Sequence, residues 1–153
     1  PPVAAVWFAG LARTAALERD LLDLHGDRWL QELPVAAAGE RYVRRLEELD
    51  QGDPLLLVAH AYVRYLGDLS GGQILRKIVA GALNPAAPDS ATGARFYLFP
   101  APGAVELAQQ FRAGLGAIAV DGDEASRIVA EAQSAFRLHG ELFEQLADAN
   151  PAN

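Results

Sequence analysis

The chain contains no cysteine among its 153 residues. It therefore forms no disulfide, holds no iron–sulfur cluster or thiolate zinc site, and has no thiolate nucleophile. The absence of cysteine is compatible with a reducing compartment, and we expect a cytoplasmic protein.

Positive charge and long apolar runs are also scarce. The sequence carries 13 Lys and Arg residues against 20 Asp and Glu residues, which gives a net charge of −7 and a pI near 4.9. A nucleic-acid partner requires a basic face, so we exclude that class of partner. No apolar run approaches the roughly 20 residues of a membrane helix, and the Pro1-Pro2 start lacks the charged beginning of a signal peptide. We expect a soluble protein without a membrane partner.

Several common catalytic motifs are missing. The sequence has no HExxH zinc motif, no glycine-rich phosphate loop and no GxSxG nucleophile motif. No Glu is followed three residues later by His, so the ligand pattern of the di-iron carboxylate bundles is absent. These classes of site are therefore not expected in this chain.

The residues that are present predict one all-α domain over residues 1–153. Hydrophobic residues make up 51% of the chain, which is enough for one sizeable core. They recur at helical spacing, with charged residues on the opposite faces. The predicted helices are Val6–Leu24, Glu40–Leu49, Asp53–Asn84, Pro102–Ala119 and one that runs from Asp121 to Asn150-Pro151. Between them we expect a structured connection at 27–39, an exposed loop at 85–93 and an extended aromatic segment at 95–100.

Three helix boundaries have clear signals in the sequence. Residues 25–27 (HGD) end the first helix, because glycine is favoured just after a helix C-terminus. Asp53 is expected to accept hydrogen bonds from the first free amides of the central helix, with Pro54 in its first turn. Asp121 and Glu124 have the spacing of a capping box at the start of the last helix.

The three histidines receive structural interpretations. His60 follows a wholly apolar turn, and His139 lies on the apolar stripe of the last helix. We expect both to be core residues, with His60 hydrogen-bonded to another helix. His25 lies beside a Gly-Asp turn, and we expect it to be exposed.

The central helix contains a defect. Gly67, Gly71 and Gly72 fall where the helix should be strongest, and each costs about 1 kcal/mol relative to alanine. Either a ligand approaches the bare backbone, or another helix packs closely, or the helix breaks in two. Asp68 lies beside Gly67, so its carboxylate projects toward the same region and could hold a water chain that delivers protons. The plainer interpretation pairs Asp68 with Arg64, one turn earlier.

A long match to a known family begins in this helix. The residues from Leu55 to Ile78 read LLLVAHAYVRYLGDLSGGQILRKI, which closely resembles the signature of heme oxygenases. The resemblance continues in RTAALERDLLDLHGDRW upstream, in RFYLF from Arg95 to Phe99, and in QFRAGL and EAQSAFRLHGELFEQL downstream. It covers nearly the whole chain, in the family's order and spacing, and is nearest to the bacterial members. It implies an all-α fold in which heme lies between a proximal helix and a kinked distal helix. Heme is then oxidised to biliverdin, with release of iron and carbon monoxide.

The resemblance implies roles for the glycines and for Asp68. Gly67, Gly71 and Gly72 match the distal-helix glycines that let backbone lie directly over the heme iron, where any side chain would collide with the ligand. That crowding directs the attack of oxygen toward one meso carbon of the porphyrin. Asp68 matches the distal aspartate, which holds the water network that supplies protons for oxygen activation.

The resemblance also implies a set of heme-contacting residues. Arg112 matches a basic residue that pairs with a heme propionate, a contact for which arginine is suited. The family often has a second basic residue one turn earlier, but Ala108 stands there, so we expect weaker anchoring or a different anchor. Phe136 and Phe143 match residues that line the heme pocket. Tyr62 matches a polar, non-catalytic position of the central helix and is included among the heme-contacting residues.

The family's proximal histidine has no match. Heme oxygenases begin with two helices that precede anything aligned here, and the first carries the histidine that ligates iron. His25, His60 and His139 lie on other elements, so we expect no metal ligand in these residues. Three explanations are open: an N-terminally incomplete sequence, a separate chain that supplies the missing helices, or a truncated homologue without turnover. We favour incompleteness.

Three hypotheses for function follow. The first is a heme oxygenase that uses dioxygen and electrons from an external reductase or ferredoxin, with heme as both substrate and cofactor. The second is a non-catalytic heme-binding module that lacks the axial histidine, and the third is an α-helical interaction domain without heme. The glycines and Asp68 favour the first hypothesis, whereas the unmatched proximal histidine favours the second.

Overall fold

The computed structural model describes residues 2–87 and 89–149, which fold into helices and turns without any strand. The all-α prediction is confirmed. The helices are α1 (Thr14–His25), α2 (Trp29–Glu32), α3 (Ala37–Gly52), α4 (Leu57–Ala61), α5 (Gly67–Ser70), α6 (Gly72–Leu83), α7 (Ala104–Gly116) and α8 (Gly122–Ala149). Short 3₁₀ turns cover Pro2–Ala5, Ala9–Leu11, Pro54–Leu56 and Arg95–Tyr97, and a π-helical turn covers Tyr62–Leu66.

The described residues group into two compact units. The first unit comprises residues 2–6, 34–64 and 114–149, and the second comprises residues 7–33 and 65–113 apart from residue 88. The prediction of one domain over residues 1–153 stays a prediction.

In the first unit, α3 and α4 pack against the long helix α8. Val58 and Ala59 of α4 and Ala135 of α8 are buried at this contact. Gly114 lies so close to the N-terminal turn that an added Cβ would be 1.9 Å from the Ala5 carbonyl oxygen. Glycine is therefore required at position 114 by a backbone approach that no side chain could share.

In the second unit, the turn Arg95–Tyr97 packs against both α1 and α6. Leu11, Leu107 and Phe111 are fully buried in this unit. The same unit holds the glycine-rich part of the central stretch. The turn Arg95–Tyr97, called the aromatic turn below, therefore links α1 to the helix that begins at Gly72.

The first predicted helix begins later than the sequence pattern indicated. We predicted Val6–Leu24, but α1 starts at Thr14, because the chain is extended at Phe8 (φ −133°, ψ 145°). Val6 and Leu11 are both completely buried, whereas a regular helix would place them about 140° apart. The end of the helix is confirmed, since Gly26 has a positive φ of 76°.

The predicted connection and the next helix also differ in their bounds. Residues 27–39 contain the short helix α2 and the start of α3, which begins at Ala37 rather than at Glu40 and ends at Gly52 rather than at Leu49. Helix α7 is shorter than the predicted Pro102–Ala119, because it starts only after Gly103, whose φ of 100° is not helical.

The central stretch is not one helix. It begins with a 3₁₀ turn, continues through α4, the π-helical turn and α5, and restarts at Gly72 after a break at Gly71. Pro54 occupies the first turn as predicted, but the predicted cap is wrong. Asp53 makes no side-chain cap hydrogen bond, because its carboxylate instead pairs with Arg127 of α8. The end of the stretch at Asn84 is confirmed.

Two other local predictions can be scored. The segment 95–100 is a 3₁₀ turn at Arg95–Tyr97 and becomes extended only at Leu98, so the extended prediction is wrong for its first half. The capping box is confirmed, with Glu124 N donating to Asp121 Oδ1 at 2.8 Å and Asp121 N donating to Glu124 Oε2 at 2.9 Å. The predicted stop at Asn150-Pro151 lies outside the described residues.

Candidate functional site

The three glycines of the central stretch have ordinary helical backbone. Gly71, at the break, has φ −79° and ψ −26°, and the glycines with positive φ lie elsewhere in the described chain. Any L-residue can adopt this conformation. The glycines therefore do not serve the backbone conformation, and their small size is what the structure uses.

Gly67 and Gly71 are exposed and open. A Cβ added at Gly67 would meet nothing within 4 Å, and one at Gly71 would meet only the Gly67 carbonyl oxygen, at an ordinary 3.5 Å. Ile74 and Ile78, which are 67% and 61% exposed, follow at the spacing of one helix face. We call these four residues the glycine face. It is an exposed apolar strip with bare backbone at one end.

Gly72 points to the opposite side. It is buried, and an added Cβ would lie 3.1 Å from Cδ1 of Tyr97, which is closer than most real side-chain contacts. The sequence-based prediction gave the three glycines one common role. In the second unit, however, packing against Tyr97 by itself explains why residue 72 is small. Its contact with a ligand stays a prediction.

Asp68 lies at the edge of the glycine face and is partly buried. Its Cβ lies 3.8 Å from the position that a Cβ of residue 72, one turn later, would occupy. Asp68 and Arg64 are both engaged in interactions, and their pairing with each other stays a prediction.

Arg13 is a charged neighbour of this site that sequence reasoning did not single out. Burial lowers the pKa of Arg13, while the charges of Tyr65 and Asp68 act in the opposite direction. Its guanidinium donates hydrogen bonds to the Leu98 carbonyl at 2.6 Å and lies 4.4 Å above the centre of the Phe99 ring. These contacts fix the position of the cationic side chain against the segment 98–99. The only available signal was its place in the matching upstream segment.

Arg112 is exposed on α7 and forms no ion pair with any described residue. Ala108, one turn earlier, is buried in the second unit. That position faces the core, so it offers no place for a second basic side chain. Pairing of Arg112 with a propionate stays a prediction.

Tyr62 and Phe136 line one cavity of about 390 Å³ in the first unit. Its walls are mostly apolar and come from α4, the π-helical turn, α7 and α8. The other lining residues are Val58, Ala59, Leu115, Ile128, Val129, Ala132 and Gln133. Phe143 does not line this cavity. It lies two turns further along α8 and is 66% exposed.

A buried polar network joins α3, α4 and α8 of the first unit. Glu131 accepts hydrogen bonds from Arg45 Nη2 at 2.6 Å and Nε at 3.0 Å, and from His60 Nε2 at 3.0 Å. Since a carboxylate only accepts, Nε2 carries a proton, and the other ring nitrogen, Nδ1, is hydrogen-bonded to the Tyr42 hydroxyl 3.1 Å away. The hydrogen bond from Arg45 keeps the pKa of Glu131 below its usual value against the effect of burial. Burial raises the pKa of Tyr42 to about 12.

The histidine predictions are confirmed in their main features. His60 is buried, and both of its ring nitrogens are hydrogen-bonded to residues of other helices. His139 is buried and donates from Nδ1 to the Ala135 carbonyl at 2.7 Å, and its ring meets Tyr42 edge-on. His25 is exposed at the end of α1.

Two properties of the described residues bear on the class of site. These residues contain no cluster of three His, Cys, Asp or Glu side chains that could bind a metal ion. None of their helices is both long enough and apolar enough to span a bilayer.

Comparison with known proteins gives one consistent family. The model of the heme oxygenase family matches residues 1–145. Heme oxygenase 1 of Homo sapiens is 43% identical over 150 residues, which are 97% of this chain and 51% of that protein. Heme oxygenase 1 of Nostoc sp. (strain PCC 7120) is 40% identical over 148 residues, which are 95% of this chain and 60% of that protein.

A solved structure gives the same result for the fold. The crystal structure of heme oxygenase-1 from the cyanobacterium Synechocystis sp. PCC6803 in complex with heme superposes with a TM-score of 0.88 at 38% identity. The match covers 96% of this chain and 65% of that one. The chain spans about half the length of the mammalian relatives it matches.

Proposed function

Since this chain belongs to the heme oxygenase family, we propose that the protein cleaves heme oxidatively to biliverdin and releases iron and carbon monoxide. Dioxygen is the oxidant, and an external reductase or ferredoxin supplies the electrons. Heme is both the substrate and the group on which oxygen is activated. We place the reaction in the cytoplasm and assign residues 1–153 to one heme oxygenase-like domain.

The glycine face is the observation that carries this proposal. Gly67 and Gly71 leave open space where a Cβ would otherwise stand, and Ile74 and Ile78 continue the same strip as exposed apolar surface. A flat apolar ring system can lie against such a strip with its centre over bare backbone. Glycines at these positions cost helix stability without serving the fold, so a close-lying ligand is the physical reason to keep them.

The remaining site residues divide the work of binding and proton supply. Asp68, at the edge of the glycine face, holds ordered water and passes protons to the reacting oxygen. Arg112, exposed and without an ion-pair partner among the described residues, binds a propionate. Tyr62, Phe136 and Phe143 provide apolar contacts along the ring. Gly72 contributes to heme binding less directly, because a Cβ at this position would point toward Tyr97 and not toward the glycine face.

A second candidate is a non-catalytic heme-binding module. It is favoured by the state of the histidines, because His60 and His139 are buried and hydrogen-bonded within the first unit. An axial ligand would have to come from outside these residues. The two candidates differ in turnover, not in heme binding.

Heme titration of the full-length protein tests both candidates. We expect a Soret band that saturates at one heme per chain, and conversion to biliverdin with release of carbon monoxide when reductant and oxygen are added. A Soret band without biliverdin supports the second candidate. No Soret band at micromolar heme would exclude both.

A further inference from the structure

The ring of Tyr97 lies directly behind Gly72, on the side away from the glycine face. The nearest ring atoms, Cδ1 and Cε1, are 3.1 Å and 3.7 Å from the position that a Cβ of residue 72 would occupy. A contact of 3.1 Å forces the neighbour to yield by a few tenths of an ångström. Whether Tyr97 can yield therefore decides what position 72 tolerates.

Tyr97 is held on several sides. Its carbonyl accepts a hydrogen bond from Gln73 Nε2 at 2.9 Å, which ties it to the residue that follows Gly72. The two amides before it are fixed by Asp20, which is only 4% exposed and accepts from Arg95 N at 2.9 Å and from Phe96 N at 2.8 Å.

The chain is also anchored after Tyr97, where Arg13 donates to the Leu98 carbonyl at 2.6 Å. The Tyr97 ring itself packs edge-on against the ring of the preceding Phe96 at a centroid distance of 5.2 Å. With backbone fixed on both sides, a group that pushes on the ring meets resistance. The helix, which is already broken at Gly71, is the part that gives way.

A displacement of residue 72 is transmitted to the glycine face through the backbone of one helical turn. Gly72 follows Gly71 directly, and the Gly71 amide donates to the Gly67 carbonyl at 2.8 Å. A displacement of residue 72 by a few tenths of an ångström therefore moves the two exposed glycines with it.

We propose that Tyr97 is a positioning residue that sets, through Gly72, how far the Gly67–Gly71 backbone projects toward the ligand. The proposal rests on the proposed heme-binding function. In this proposal Gly72 does not contact the ligand. It packs on Tyr97 and thereby supports the glycine face from behind. The residue expected to matter for ligand fit is thus an aromatic side chain that never touches the ligand.

A rescue experiment tests this assignment. In the full-length protein, Gly72→Ala should weaken heme binding about fivefold and shift the Soret maximum, because the added methyl group displaces the Gly67–Gly71 backbone toward the ligand. Combining it with Tyr97→Leu, which removes the ring, should restore the heme affinity to within about twofold of the wild-type value and return the Soret maximum to its wild-type position. If position 72 instead faces the ligand, Tyr97→Leu will rescue nothing, and the proposal is overturned.

Two further variants control the experiment. Tyr97→Phe keeps the ring and should leave Gly72→Ala unrescued, whereas rescue by Tyr97→Phe would assign the effect to the hydroxyl and contradict the proposal. Gly81→Ala, on the same helix with nothing within 4 Å of its Cβ, should leave heme binding unchanged.

Thermal unfolding of the heme-free variants separates this proposal from the proposed function. The melting temperatures of Gly72→Ala, Tyr97→Leu and the double variant should be non-additive, with the double variant more stable than the sum of the single effects predicts. Non-additive melting together with a wild type that binds no heme would support the contact and exclude heme as its purpose. Additive melting would overturn the proposal whether or not heme binds.

Discussion

Glycines 67, 71 and 72 show how one residue type can serve two purposes within six positions. All three have helical backbone, so each gives up the helix stability that alanine would provide. Gly67 and Gly71 face open space, whereas Gly72 faces the Tyr97 ring. The same glycine-to-alanine substitution should therefore affect the stability of the heme-free protein differently at the two kinds of position.

Gly67→Ala should stabilise the heme-free protein and weaken heme binding. The new methyl group meets nothing in the protein, so the free energy of unfolding should rise by up to about 1 kcal/mol. The same methyl group occupies the space that the ligand needs, and heme affinity should fall at least about tenfold. Chemical denaturation and heme titration measure the two quantities. Gly81→Ala is the matched control, which should gain stability without losing affinity.

Asp68→Ala should separate binding from turnover. If Asp68 supplies protons through water, the variant should keep its heme affinity while the rate of biliverdin formation falls about 100-fold or more. Asp68→Asn, which can still hold water but cannot carry a proton in the same way, should retain affinity and lose most of the rate. An undiminished biliverdin rate in either variant would remove Asp68 from the mechanism.

At the scale of elements, buried carboxylates fix the parts that surround the site. Asp20 of α1 accepts hydrogen bonds from the amides of Arg95 and Phe96 and so stabilises this 3₁₀ turn. Glu131 of α8 links Arg45 of α3 to His60 of α4. A buried carboxylate that holds donors from other segments has a large effect when removed, because the donors remain buried and unpaired.

Asp20→Ala should lower the free energy of unfolding by about 2–3 kcal/mol, because two backbone amides lose their acceptor. The neighbouring Asp23→Ala removes a more exposed partner of Arg95 and should cost less than about 1 kcal/mol. Urea unfolding of both variants checks the difference. Equal losses would mean that the aromatic turn is held by packing alone.

The pH dependence of stability should report on Glu131. Its pKa in the folded state lies below the usual value of 4.5, chiefly because of the hydrogen bond from Arg45. Between the two values the unfolded chain binds more protons, so this stabilisation is complete above about pH 4.5 and is lost as the pH falls through the folded pKa.

Replacing this carboxylate should flatten the acid limb of the stability curve. Glu131→Gln should be less stable than the wild type at neutral pH, and it should lose less stability on acidification. Denaturant unfolding from pH 7 to pH 3 measures both effects. Glu144→Gln, an exposed carboxylate on the same helix, is the control and should follow the wild-type curve. A parallel loss in Glu131→Gln would assign the acid sensitivity to other groups.

At the scale of the whole molecule, each unit has exposed apolar surface beyond what an isolated side chain represents. In the first unit, Val129, Phe136 and Phe143 recur every seven residues along α8 and are each at least 59% exposed. In the second unit, the glycine face has Ile74 and Ile78 in the same condition. Contiguous apolar surface of this kind usually contacts a ligand or another chain segment.

The polypeptide of residues 1–153 should therefore self-associate when it is produced alone. We expect a concentration-dependent sedimentation coefficient and binding of a hydrophobic dye. The double variant Phe136→Ser/Phe143→Ser should reduce both. Leu30→Ser removes an exposed apolar side chain outside the α8 stripe of Val129, Phe136 and Phe143, and it should change neither the sedimentation behaviour nor the dye binding. A monodisperse wild-type polypeptide without dye binding would contradict the inference that this stripe needs a partner.

Local sequence patterns were sufficient to predict the all-α class, the family and several helix boundaries. The helix stop at Gly26 and the capping box of Asp121 and Glu124 depend on residues only a few positions apart, so local chemistry was sufficient. The resemblance in the central stretch is confirmed by the match of the family model to residues 1–145.

The contacts of several polar and small residues depend on the tertiary fold and could not be predicted from local sequence. Asp53 has the sequence of a helix cap but pairs with Arg127, 74 residues later. The buried role of Asp20 and the packing of Gly72 on Tyr97 likewise depend on segments that are distant in the chain. Periodicity reports which face of a helix is apolar, but it carries no information about what lies against that face. For that reason the glycines could be recognised as unusual from the sequence, but only the fold separates those that face outward from the one that faces the core.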